Sequence, residues 1–378
     1  MQCIDQIANS EWKGKKVLVR AGLDLPLDTE GNVADMFRVR KAFQTIRFLS
    51  DAGARVIIIS HIGRDPKETN EPVYRALRQL TPISFVHDLH GVPAQQAVLT
   101  MRDGEVLLLE NLRCDPGEIA NDESFAKNMA SLADIYVDDA FSNAHRAHAS
   151  MVGIPKFLPH YAGILMCAEV AALSAARTPE HPSFAILGGA KFETKEPLAK
   201  ALLETYDHLF ITGALANDVF RARGLQVGIS LVSPELPDKE VLEHPHFIAP
   251  TDVTVVRPDG QAMVRKVNEV NIDEKIMDIG PDTLAAIAPM IEEAKCILWN
   301  GPTGKYEEGF THWTQAIAEL VEARAKAGAK VVIGGGDTIA ALEEAGFTED
   351  KMGFFSTGGG AMLDYVLHGT LPAIEALG

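Results

Sequence analysis

The chain of 378 residues carries 35 Lys and Arg against 52 Asp and Glu, for a formal net charge of −17, with 47% hydrophobic and 23% charged residues. The length calls for two cores rather than one. The excess of negative charge argues against nucleic acid as a partner, because phosphate backbones are bound by basic surfaces. No apolar run reaches the roughly 18 residues needed to span a bilayer, and the opening MQCIDQIANSEWKGKK has no stretch that reads as a signal peptide.

Short apolar runs rich in β-branched residues alternate with amphipathic segments from end to end. Strands are predicted at 16–20, 55–60, 105–109, 135–138, 184–187, 208–212, 295–299, 331–333 and 354–356. Several lack polar alternation, as strands covered on both faces do. Helices are predicted at 38–49, 122–132, 198–203, 313–327 and 339–345. Such strand–helix alternation specifies an α/β fold with parallel sheets and crossover helices. The Ala-rich run AGILMCAEVAALSAAR at 162–177, followed by the breaker TPEHP, reads as a helix joining two α/β halves. Cys3, Cys114, Cys167 and Cys296 lie far apart and form no paired motif. A reduced, cytoplasmic setting without a disulfide framework or structural zinc is therefore expected.

In the first half, Arg20, His61, Arg64, Arg113, His145 and Arg146 fall at or just after predicted strand ends, and Arg38 begins a helix after the turn-rich GNVADMF. In an open parallel sheet these positions converge on one crevice. The planar fork of arginine suits carboxylate and phosphate there. His145 and His148 in HRAH have two readings: a pair of metal ligands, or hydrogen-bonded supports for Arg146.

In the second half, three glycine turns follow apolar strands: LGGAK at 187–191, IGGGDT at 333–338 and STGGGA at 356–361. Such turns expose backbone N–H groups at the positive end of the following helix, which suits phosphate. Lys191 and Lys195 follow the first turn, Asp337 is placed to hold Mg²⁺ on nucleotide oxygens, and Glu307 in WNGPTGKYE is placed for a ribose hydroxyl. None of these fits GxxxxGK[ST], and no GxGxxG with a downstream acid marks a dinucleotide site.

Taken in order, SHIGR (60–64), LLLENLR (107–113), DDAF and AHRAH (138–148), LGGAK (187–191), DIGP (278–281), LWNGP (298–302), GGGDT (334–338) and STGGGA (356–361) resemble the phosphoglycerate kinase family over nearly the whole chain. The closing HGTLPAIEAL is also similar. The resemblance implies two Rossmann-like domains with parallel sheets, joined by a helix and hinge: 1–161 for phosphoglycerate, 162–178 as the linking helix, 179–362 for nucleotide, and 363–378 packing back on the first domain. It implies reversible phosphoryl transfer between 1,3-bisphosphoglycerate and ADP, giving 3-phosphoglycerate and ATP, in a cytoplasmic monomer that uses Mg²⁺. Asp24, Arg38, His61, Arg64, Arg113, His145 and Arg146 would bind the acid. Gly189, Lys191, Lys195, Gly213, Asn300, Pro302, Glu307, Gly336, Asp337 and Thr338 would bind the nucleotide. Arg38, Lys191, Lys195, Gly336 and Gly359 would carry catalysis, and Asp337 the metal.

The chain departs from the family where ligands are expected. A first-strand pattern like RxDxNxP, whose Asp and Asn contact the glycerate, reads here Arg20-Ala-Gly22-Leu-Asp24-Leu-Pro26. Asp24 thus puts negative charge near an anionic substrate. Thr194 replaces an Asp, Thr212-Gly213-Ala214 replaces a run of three glycines, and Ser142-Asn143 stands where Gly-Thr is usual. Three readings follow: a phosphoglycerate kinase, a relative acting on a different phosphorylated hydroxy acid or nucleotide, and a non-catalytic binding protein.

Overall fold

The computed structural model describes residues 1–378, which divide into two units, Met1–Ala171 with Thr370–Gly378, and Ala172–Gly369. The division falls inside the helix Ile164–Arg177.

In the first unit, β1 (Lys16–Ala21), β2 (Arg55–Ile59), β3 (Ser84–Phe85), β4 (Val106–Leu108), β5 (Ile135–Asp139) and β6 (His160–Ala162) form one sheet in the order β3-β4-β2-β1-β5-β6. All its pairings are parallel. Val17, Leu18, Val19, Ile57 and Ile58 are fully buried, as expected of strands covered on both faces. Strand order reverses between β1 and β5, where Arg20 pairs with Ile59 on one side and Asp138 on the other. That register brings the segments after β1, β2 and β5 to one edge, the place where open parallel sheets bind ligands.

The helix Met36–Asp51 is started by Asp35, whose side chain accepts the Arg38 N–H at 3.1 Å, and it buries Val39, Ala42, Ile46 and Leu49. The helix Ile164–Arg177 is anchored at its start by Thr45 Oγ1, which accepts the Ile164 N–H (2.8 Å), and by Asp139, which accepts that of Met166 (3.1 Å). In the closing segment, the Ala373 N–H donates to Ala144 O at 3.1 Å.

The cysteine expectation is overturned: Cys3 and Cys167 are joined in a disulfide. Cys3 pairs alongside Ala162 in parallel fashion, extending the edge of β6, and Cys167 lies in the first turn of the helix that follows β6. Partners 164 residues apart in sequence leave no spacing motif to read. Cys114 and Cys296 are free thiols.

The second unit contains β7 (Ser183–Leu187), β8 (His208–Ile211), β9 (Phe247–Ile248), β10 (Asp252–Val256), β11 (Ala262–Lys266), β12 (Lys275–Ile279), β13 (Cys296–Asn300), β14 (Lys330–Gly334) and β15 (Phe354–Phe355). Its main sheet runs β15-β14-β13-β7-β8-β9, entirely parallel. Here the order reverses between β13 and β7, with Asn300 opposite Leu187. A small antiparallel sheet, β11-β10-β12, was not anticipated. β11 alternates exposed and half-buried residues and ends Val-Arg-Lys, so it offers no continuous apolar run. Val253 and Val255 of β10 pack with Ala216, Phe220, Val227 and Val270 in a core separate from that of the main sheet.

Candidate active site

At the reversal point of the first sheet, Asp24, Leu25, Pro26, Leu27, Ile62, Gly63, Arg64, Glu68, Arg113 and Arg146 surround a cavity of about 380 Å³. Four predicted ligands, Asp24, Arg64, Arg113 and Arg146, therefore meet. His61 stands behind them, almost wholly buried. Its Nδ1 accepts a hydrogen bond from Arg20 Nη2 at 2.8 Å, which places the ring proton on Nε2, 3.2 Å from Asp24 Oδ2. Burial, reinforced by the charge of Arg20, pushes His61 down to about 4 against the pull of Asp24. The imidazole is therefore neutral at physiological pH, and its contact with Asp24 is not an ion pair.

Burial disfavours the Asp24 anion, but the His61 contact, the Gly63 N–H at 3.1 Å and the charge of Arg113 outweigh it and hold the carboxyl below its ordinary range. Arg20, grouped with the strand-end bases by sequence, is wholly buried. It spends its donors on Ser150 Oγ, Ala21 O, His61 and Asn143 Oδ1, so it is scaffolding. Arg38 is half-buried outside the cavity wall, its Nε 3.2 Å from Asp35. His145 accepts from Arg146 Nε at 3.3 Å, and His148 lies 3.7 Å from Glu118, an arrangement of supports.

In the second unit, a cavity of about 270 Å³ runs from the glycine turns to the small sheet. Gly189, Gly213, Pro302, Glu307 and Asp337 line it, as do Asn217, Leu231, Val253, Ile276 and Asp278, which sequence reasoning had not assigned. Val253, Ile276 and Asp278 come from the unanticipated sheet and Asn217 from the helix Ala214–Ala222 after the Gly213 turn; the DIGP match and the altered run at 212–214 were the signals that pointed there. Asp278 is buried, which pushes its carboxyl up to about 7 despite a hydrogen bond from Thr303.

Lys195 Nζ donates to Gly188 O and to Asn300 Oδ1, the latter at 2.9 Å. Burial lowers Lys195 to about 8, opposed by the charge of Asp337. A Cβ on Gly301 would lie 2.5 Å from Gly188 Cα, so the turns after β13 and β7 meet backbone to backbone only as glycines. Thr338, expected at the nucleotide, is wholly buried, and its hydroxyl accepts the Gly301 N–H at 2.8 Å; its side chain holds the turn. Gly336 opens the helix Gly336–Glu344, Gly359 precedes the helix Gly360–His368, and Lys191 is exposed.

A family model described as phosphoglycerate kinase matches residues 7–369. The chain belongs to the phosphoglycerate kinase family. It is 40% identical over 392 residues to a protein of Roseiflexus sp. (strain RS-1) named phosphoglycerate kinase, covering 98% of each chain. It is 41% identical over 385 residues to one of Methylorubrum extorquens, covering 97% of this chain and 96% of the relative. Among solved structures, phosphoglycerate kinase from Coxiella burnetii is similar with a TM-score of 0.82 at 34% identity, covering 99% of this chain and 97% of the other. That from Pyrococcus horikoshii OT3 has a TM-score of 0.86 at 29% identity, covering 100% and 98%. No helix is long and apolar enough to cross a membrane.

Proposed function

We infer that the chain is a phosphoglycerate kinase, a phosphotransferase with a carboxyl group as acceptor, which exchanges a phosphoryl group between 1,3-bisphosphoglycerate and ADP. The observation that carries this reading is the pair of strand-end cavities. One is walled by Arg64, Arg113 and Arg146, the other by glycine turns and Asp337, in a chain that matches one kinase family almost throughout.

Arg64, Arg113 and Arg146 would grip the carboxylate and phosphate of the acid through bidentate hydrogen bonds. Lys195, partly relieved of solvent, would hold a nucleotide phosphate, and an incoming polyanion would restore its full charge. Arg38 and Lys191 would stabilise the charge that builds on the transferring group, which passes through a loose transition state needing position and positive charge rather than a covalent intermediate. The backbone N–H groups at Gly336 and Gly359 would add dipolar stabilisation. Glu307 would take a ribose hydroxyl.

Asp337 fits the part of a magnesium ligand. No three His, Cys, Asp or Glu side chains converge to hold a metal on their own, and one carboxylate completed by phosphate oxygens is the usual way Mg²⁺ is held. When bound, the ion would neutralise phosphate charge; Asp337 would hold it at the cavity wall. Because acid and nucleotide would occupy different units, transfer requires a hinge step that brings them together and excludes water from the acyl phosphate. A monomeric enzyme leaves both units free for that motion. The test is a coupled assay with 3-phosphoglycerate and Mg·ATP, in which Arg38→Ala should abolish turnover.

A further inference from the structure

Gly63 organises the wall of the acid cavity from three sides. Its N–H donates to Asp24 Oδ1 at 3.1 Å, and its carbonyl accepts from Arg113 Nη1. Its Cα face is covered by a third group. A Cβ built on Gly63 would fall 1.7 Å from Glu68 Oε2, so the Glu68 carboxyl occupies the space any other residue's side chain would claim. With φ at +62°, the position also favours glycine on backbone grounds.

Glu68 is not a loose rim residue. Its Oε2 accepts the Asp65 N–H at 2.9 Å, its own N–H donates to Asp65 O at 3.0 Å, and its carbonyl accepts from the buried Asn111 Nδ2 at 2.8 Å. The loop therefore fixes a carboxylate in a cavity otherwise built for anions. Set against Arg64, Arg113 and Arg146, Asp24 and Glu68 leave the wall with one net positive charge where the arginines alone would supply three.

We propose that Glu68 is a specificity-determining residue that, with Asp24, sets how strongly the acid site attracts negative charge. The proposal rests on the acid-site assignment above. Fixed carboxylates in the cavity wall repel an incoming anion and offset part of the attraction of Arg64, Arg113 and Arg146. The attraction lost to each carboxylate grows with the charge the ligand brings.

Glu68→Gln tests this, because it keeps size and one acceptor oxygen while removing charge. Glu68 is exposed, so the expected change is moderate: KM for 3-phosphoglycerate falls about two- to fivefold. Inhibition by inorganic phosphate, competitive with the acid, should strengthen by a smaller factor because phosphate brings less charge, and both gains should shrink as salt is raised. Glu68→Asp, which keeps the charge, should keep a KM nearer the parent's than the amide does. An unchanged or raised KM in Glu68→Gln would overturn the proposal, as would equal gains in the Gln and Asp variants. Failure of the parent chain to phosphorylate 3-phosphoglycerate would instead count against the acid-site assignment. If the Gln variant melts early, the phosphate-inhibition and salt dependences of Glu68→Asp against the parent still decide the matter: a gain there would refute the role of charge.

Discussion

Replacing Asp24 by Asn should lower stability, through the donors that meet around His61, and raise affinity, through the charge it removes. Arg20 donates to Nδ1, so the neutral ring must carry its proton on Nε2, which faces Asp24 Oδ2 at 3.2 Å. The other carboxylate oxygen accepts the Gly63 N–H. A carboxylate can face both donors; an amide has one oxygen and must turn its NH₂ toward one of them. His61 cannot relieve the clash by changing tautomer, because Nδ1 is committed to Arg20, which cannot give up its protons.

The Nε2 contact at 3.2 Å is not aligned as a hydrogen bond, so a donor turned toward it costs about 1 kcal/mol, the low end for an unmet donor. For a unit of about 180 residues this corresponds to a fall in Tm of about 2–4 °C. Removing a negative charge about 8 Å from a substrate anion gains about 0.5–1 kcal/mol at an effective dielectric of about 40–80, or a two- to fivefold lower KM. Calorimetry and the coupled assay on the same preparation measure both. An unchanged Tm would refute the tautomer argument. A raised KM for 3-phosphoglycerate would show that Asp24 serves the substrate as an acceptor rather than opposing it by charge.

Two further predictions concern charge and covalent structure. Lys195 sits near 8 in the free protein, so it is protonated below that pH and loses its charge above it. Nucleotide KM should stay low up to about pH 8 and rise beyond, and Lys195→Arg, which keeps its charge, should move that rise to higher pH; a flat KM between pH 7 and 9.5 in the parent would contradict the role. The Cys3–Cys167 link closes a loop spanning a separation of 164 residues, which in the chain-entropy model stabilises by about 5 kcal/mol. A reductant should therefore lower the Tm of the parent by about 10 °C and leave Cys3→Ser unmoved, whereas equal melting of the parent with and without reductant would count against the link.

The sequence was most readable where one physical signal dominated. All nine predicted strands are present: eight lie inside the parallel sheets as short apolar runs, the ninth, β15, at an edge, and the strand-end arginines converge because parallel register carries them to one edge. Elements held by other means escaped. β3, β6 and β9 are edge strands of two or three residues that sit in no longer apolar run. The sheet β10–β12 hides behind the polar alternation of β11, and with it went Val253, Ile276 and Asp278 at the far end of the nucleotide cavity. Residue type also misled where a polar group serves the fold. Arg20 looks like a ligand in sequence, but complete burial commits its donors to backbone and neighbouring side chains. The disulfide shows the same limit, since only the tertiary placement of β6 brings residue 3 to residue 167.

On this reading the chain moves a phosphoryl group between adenine nucleotide and the carboxylate of 3-phosphoglycerate. Turnover of 3-phosphoglycerate with Mg·ATP, followed by trapping of the acyl phosphate product, tests it most directly. The parent chain should form that product steadily, and Arg38→Ala should lose it with the fold intact. Nucleotide binding without transfer to 3-phosphoglycerate would contradict it.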